Sequence, residues 1–212
     1  MKTSDLISVL AETSEAAPRG AVGRRLWLAA AGGAAVSLTV LDAWLGMGRL
    51  SELMGAWQFG LKAAYTLALT VAAALLLARL ARPGGRGRWA MLAIAVAVAG
   101  MLALGVAQLM EAEPQSRMPT LMGHSARMCP WRILALAAPV YVGLVWALRR
   151  LAPTRPALAG AAAGLLAGAI SATVYQAFCR ESAPAFIAAW YTLGIVISAG
   201  VGGLLGARLL RW

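Results

Sequence analysis

The stretch CPWRILALAAPVYVGLVWALRRLAPTRPALAGAAAGLLAGAISATVYQAFCRES, residues 129–182, decides the fold. It holds two apolar runs, 131–148 and 157–178, joined by Arg149-Arg150-Leu151-Ala152-Pro153-Thr154-Arg155-Pro156. A helix rises 1.5 Å per residue, so about 20 apolar residues cross a ~30 Å hydrocarbon core. Each run therefore predicts a transmembrane helix, and the prolines between them break the helix and turn the chain back. The only two cysteines, Cys129 and Cys179, lie 50 positions apart, and the hairpin returns them to one membrane face at similar depth.

Working outward, the same pattern recurs. Apolar runs at roughly 26–46, 58–80, 89–110 and 185–207 complete a predicted all-α bundle of six transmembrane helices occupying 26–212. With 61% hydrophobic and 13% charged residues, the chain departs from the roughly 25% charged composition of soluble domains. The formal charge of +11 is carried by arginines in short loops between apolar runs, not along one basic helix. This distribution argues against direct nucleic-acid binding and for a topological role. Thirteen Lys and Arg fall on the side of the two termini and five on the other. The positive-inside rule then places both termini in the cytoplasm and the loops 47–57, 111–130 and 179–184, with both cysteines, on the outer face. No cleavable leader is read, because the first apolar run is a full span with no cleavage site after it.

Residues 1–25 form a polar cytoplasmic head. Within it, Leu6, Ile7, Val9 and Leu10 share one arc of a short helix, with Ser4, Asp5, Ser8 and Glu12 on the other. Three turns are too few to hold in water without a surface to fold on. Net acidity from Asp5, Glu12 and Glu15 against Lys2 disfavours anionic lipid and suits a basic protein face. The simpler alternative is a frayed tail.

Within the spans, Asp42 and Lys62 are the clearly ionisable side chains, and a helical hairpin brings them to matching depth. An intramembrane ion pair is the economical expectation, because an unpaired charge there is costly. Gly160, Gly164 and Gly168 in the fifth span, and Gly194, Gly202 and Gly206 in the sixth, predict close helix packing and not a phosphate loop. Two cysteines on an oxidising face allow a structural disulfide, a redox switch, or a soft-metal site assisted by His124, Glu181, Glu111 or Glu113. No Cys-x-x-Cys or His-x-x-x-Cys spacing selects among them, and no closely spaced reactive pair points to an enzyme.

Several segments carry a family resemblance: Met1-Lys2-Thr3-Ser4-Asp5-Leu6-Ile7, Met128-Cys129-Pro130, Trp146 to Pro156, Cys179-Arg180-Glu181-Ser182, Phe186 with Trp190-Tyr191 and Gly194, and Leu209-Leu210-Arg211-Trp212. In these the chain resembles the NrsF-type anti-sigma-factor family. The resemblance implies a non-enzymatic, six-helix protein of the bacterial inner membrane. Such a protein holds an extracytoplasmic-function sigma factor inactive and responds to heavy metals through two outer-side cysteines. It assigns sensing, by metal or redox chemistry, to Cys129 and Cys179, with His124 and Glu181 as accessory groups. It assigns sigma-factor docking to Asp5, Leu6, Ile7, Val9 and Leu10. No resident cofactor is implied; a heavy-metal ion would be a transient ligand. The chain departs from the family pattern at Phe178, where members often carry His, and at Ser4-Asp5, where they carry two aspartates. A small multi-pass transporter or channel is the rival reading, and it would need deep polar lining or inverted repeats.

Overall fold

The computed structural model describes residues 21–45, 57–82, 84–151 and 153–211, and all regular structure among them is helical. The helices are α1 (Ala21–Leu45), α2 (Trp57–Leu80), α3 (Arg88–Glu111), α4 (Pro114–Met122), α5 (Cys129–Arg149), α6 (Pro156–Tyr175) and α7 (Pro184–Leu209). All but α4 are long and apolar enough to cross a membrane, which makes the six expected spans. Residues 1–20 of the expected docking head 1–25, with Asp5, Leu6, Ile7, Val9 and Leu10, and most of the loop 47–57 lie outside the described residues.

Three differences from the expected pattern have local causes. The loop after the third span is not open coil: Pro114 starts α4, where its fixed φ suits the first helical turn. The fifth span stops at Tyr175, and residues 176–179 wind through short-range turns that bring the Cys179 amide onto the Tyr175 carbonyl at 3.0 Å. In α7, Ile187–Tyr191 takes a π-helical turn, a local widening that is frequent at functional sites.

Lipid supplies no hydrophobic force between helices, so they associate where their backbones can come close. The tightest seam runs between α6 and α7. A methyl group added to Gly202 would lie 2.6 Å from the Gly160 carbonyl oxygen and 2.8 Å from Gly164 Cα. One added to Gly206 would lie 2.5 Å from Gly160 Cα. The glycine pattern therefore packs as expected. A second seam joins α1 to α5, where Gly143 faces the Ala29 carbonyl and Ser37 donates to the Leu136 carbonyl at 2.7 Å, close to the donor-free position of Pro139. Tyr141 of α5 closes the centre by donating to the Gly202 carbonyl at 2.7 Å. By contrast α3, the most apolar span, is the least buried; it rests on α2 and on the first turns of α7.

Exposed tryptophans mark both rims. Trp27, Trp89 and Trp146 stand at the end where Arg82, Arg88 and Arg150 cluster, and Trp44 and Trp131 stand at the opposite end. Tryptophan prefers the headgroup level, so the belts set the depth of everything between them.

The glycine seam makes a discriminating prediction. Gly200 has open space around its Cα, two residues from the crowded Gly202. Gly202→Leu should lower stability in detergent by about 1–3 kcal/mol or more, the usual cost of overpacking. Gly200→Leu should leave the melting temperature near that of the parent chain. Equal melting of the two variants would contradict the seam.

Candidate functional site

The cysteines meet at the end of the bundle opposite the arginine cluster. Cys129 opens α5, its amide bonded to the Ser125 carbonyl at 2.9 Å, and Cys179 sits in the turn that follows α6. Both are free thiols and both are buried, at 0% and 5% exposure. The two thiols lie close enough to act on each other's ionisation, and the Ser125 hydroxyl approaches the Cys179 sulfur at 3.9 Å. Helix packing alone thus brings together two thiols that are distant in sequence.

Lys62 completes the site. Its side chain is 1% exposed, and its ammonium donates to the Cys179 carbonyl at 3.0 Å and the Glu181 carbonyl at 2.8 Å. It also lies 4.5 Å from the centre of the Tyr191 ring, inside the π-helical turn, where the ring face attracts a cation. An Asp42–Lys62 ion pair is the sequence expectation; the partners the structure gives Lys62 are these two carbonyls and the Tyr191 ring. Asp42 is on the exposed side of α1, whereas Lys62 points into the bundle toward carbonyls left free by the irregular 176–183 segment. Those carbonyls offer a short, buried acceptor pair that a carboxylate at the bundle surface cannot match.

The surroundings bias Cys179 toward its thiolate. The hydrogen bond from Cys129 is the leading cause, and the Lys62 charge, Tyr191 and the Glu181 amide add to it; together they outweigh burial and pull the thiol down to about 5. Arg132, one turn into α5, reaches the Tyr175 hydroxyl at 3.3 Å and covers the Phe178 ring at 5.2 Å. The Phe178 ring, at the position where family members often carry His, is thus covered by the Arg132 guanidinium.

The side chains of the two accessory residues, His124 and Glu181, meet each other, and it is the Glu181 backbone that adjoins Cys179. His124 is fully exposed, with a side chain at 102%, and both its amide and its Nδ1 contact the Glu181 carboxylate, at 2.7 and 3.3 Å. This contact ties the turn after α4 to the segment after α6. Gly123 has φ +49, and a side chain there would strike the Glu181 carboxylate at 2.7 Å, so this turn requires glycine. Trp190 donates to the Leu121 carbonyl at 2.8 Å, and Gln108 accepts from the Ala185 amide at 3.0 Å. Glu111 and Glu113 remain exposed. Among the described residues, no group of three or more His, Cys, Asp and Glu could hold a metal ion.

Sequence reasoning found the two cysteines but not Lys62, Tyr191, Arg132 or Ser125 as their neighbours. The one signal for Lys62 in the sequence is its charge inside a span, which says nothing of the carbonyls it meets. If Lys62 and Cys129 favour the Cys179 thiolate, alkylation of Cys179 should stay fast well below the ordinary thiol range, read by mass spectrometry. In Lys62→Met the rate should begin to fall at a higher pH, toward the ordinary thiol range near ~8.5. Superimposable pH profiles would remove Lys62 from the account.

Comparison with known proteins adds the family. The model of the family described as "Negative regulator of sigma F" (NrsF) matches residues 10–212. The "Probable anti-sigma-F factor NrsF" of Azospira oryzae is 39% identical over 216 residues, covering all of both chains. The "Anti-sigma-F factor NrsF" of Caulobacter vibrioides is 39% identical over 214 residues, again covering all of both. No solved structure matches. The family is one of regulators and not of enzymes, and the six apolar spans make the chain a multi-pass membrane protein. A match over nearly the whole chain and full-length relatives at this identity establish the resemblance: the chain belongs to the NrsF family.

Proposed function

We infer that this protein is an anti-sigma factor of the bacterial inner membrane that holds an extracytoplasmic-function sigma factor and releases it when a thiol-reactive signal meets Cys129 and Cys179 from outside. The names of its full-length relatives support a sigma factor as the partner, and the extracytoplasmic-function class is what the family resemblance implies. The sensing role rests on one observation: two free, buried thiols brought together at one end of the bundle, with a lysine ammonium on the Cys179 carbonyl.

Oxidation is the chemistry this geometry serves best. The Cys179 thiolate takes an oxygen atom from an oxidant such as a hydroperoxide, giving a sulfenic acid and an alcohol. The neighbouring Cys129 thiol then condenses with it, forming the S–S bond and releasing water. A soft heavy-metal ion would bridge the same sulfurs, but the Lys62 ammonium opposes a cation, and the described residues supply no third ligand. The N-terminal residues Asp5, Leu6, Ile7, Val9 and Leu10 remain the proposed docking segment, an acidic amphipathic patch that would fold on a basic face of the sigma factor.

For the signal to come from outside, both termini must be cytoplasmic, as the arginine distribution predicts. Reporter fusions at each terminus and in the loop containing α4 are expected to report inside, inside and outside. An outward C-terminus would put the thiols in reducing cytoplasm and end the sensing argument.

The double Cys129→Ser, Cys179→Ser variant is expected to accumulate normally and still hold the sigma factor, while its release by a hydroperoxide or hypochlorite is blunted. Loss of release by cadmium alone would move the signal to metal. A fall in abundance with release in the absence of inducer would mean that the bond is structural, since losing a structural disulfide costs about 2–5 kcal/mol.

A further inference from the structure

A different feature stands at the arginine end. Because α3 packs on α2 and leans on α7 only near the cysteine end, a wedge stays open between α2, α3 and α6. It forms a cavity of about 540 Å³ with a predominantly apolar wall, including Leu76, Met91, Ile94 and Leu165. This volume lies within the ~300–1,000 Å³ of ligand sites. A second chamber of about 200 Å³ adjoins it, lined by Arg82, Arg86, Thr154 and Arg155. The two share Leu80, Gly85, Arg86 and Arg155, so an apolar slot opens directly into a ring of guanidiniums.

The depth of this site matches a bilayer leaflet. Arg88 stacks on the exposed Trp89 at 5.3 Å, which sets the arginines at headgroup level. The slot then reaches Ile94, six residues into α3, and Leu165, nine residues into α6. Charge is one-sided as well. Among the described residues every carboxylate side chain, Asp42, Glu111, Glu113 and Glu181, belongs to the opposite end, so none of these faces the arginines. Guanidiniums bind phosphate oxygens in paired hydrogen bonds, and an apolar slot beneath them fits a hydrocarbon chain.

We propose that the wedge between α2, α3 and α6 binds one anionic phospholipid, its phosphate held by Arg82, Arg86 and Arg155 and one acyl chain lying in the apolar slot. The site is independent of the cysteine chemistry. A zwitterionic lipid places an ammonium among the arginines and is disfavoured; free phosphate lacks the chain that fills the slot.

Native mass spectrometry of the full chain in a neutral detergent tests this, with melting temperature read in parallel. Phosphatidylglycerol should bind at a stoichiometry of one, at least about fivefold tighter than phosphatidylethanolamine of the same acyl chains, and should raise the melting temperature. Inorganic phosphate should do neither. Arg86→Gln with Arg155→Gln should reduce phosphatidylglycerol binding to the phosphatidylethanolamine level. Leu158→Trp, which narrows the slot at an exposed position, should reduce it without altering charge. Arg24→Gln with Arg25→Gln removes equal charge from the same end outside the wedge and should leave binding intact. Equal affinity for both lipids, a phosphate effect as large as the lipid's, or equal losses in the Arg24/Arg25 control would each overturn the proposal. So would an Arg86/Arg155 variant that binds lipid normally yet loses the sigma factor, which would make the ring a protein-docking face.

Discussion

A lysine ammonium buried among six apolar helices has to be given oxygen atoms, and the carbonyls of Cys179 and Glu181 are where Lys62 finds them. This requirement shapes the cysteine end. A regular helix would have spent those carbonyls on its own amides, so the chain must leave helical geometry after Tyr175 for them to be available. The same irregular segment places the Cys179 sulfur beside Cys129, and the π-helical turn of α7 sets Tyr191 under the ammonium. One buried charge thereby ties α2 to the link between α6 and α7, at the point where the thiols meet.

The rest of the bundle divides by how closely its helices approach. Glycine seams weld α6 to α7 and bring α1 against α5, leaving backbones in contact that no side chain can separate. Helix α3 has one such contact, Gly105 against Ala185 near the cysteine end, and the rest of its alanine, valine and leucine surface faces mostly outward. Tight seams give a rigid frame; the loosely held helix leaves space. That division explains why the apolar cavity lies beside α3 and not among α5, α6 and α7.

Much of this was legible because membrane constraints are local. Length and hydropathy fix the six spans, and a hairpin of two spans must return Cys129 and Cys179 to one face whatever the packing. Glycines spaced by four residues signal a seam for the same reason. What could not be read depends on departures from ideal helix. Lys62 and Asp42 are expected at matching depth, but depth says nothing of the direction a side chain takes around the helix axis. Only the carbonyls freed at 179 and 181 decide that direction. Likewise Arg132 read as one more rim charge, because its ring partners Tyr175 and Phe178 come from a segment predicted to be helix throughout. The helix α4 was hidden by its polar composition, which resembles loop until Trp190 and Glu181 pin its end.

Helix α2 is the element that spans both sites. Lys62 lies near its start among the thiols, and Leu76 and Leu80 near its end line the arginine-side cavity. Eighteen residues of helix separate Lys62 from Leu80, about 27 Å at 1.5 Å per residue. A helix transmits displacement along its length as a rigid rod, whereas a loop absorbs it. Under the proposed oxidation, the Cys179 thiolate that faces Lys62 becomes a neutral disulfide sulfur, and the ammonium loses an attraction at one end of that rod. The weld between α6 and α7 cannot yield, so adjustment falls to the helix that the ammonium anchors and to the loosely packed α3 resting on it. A chemical change at the buried thiols is thereby directed toward the arginine-rich loops, on the side where the termini emerge.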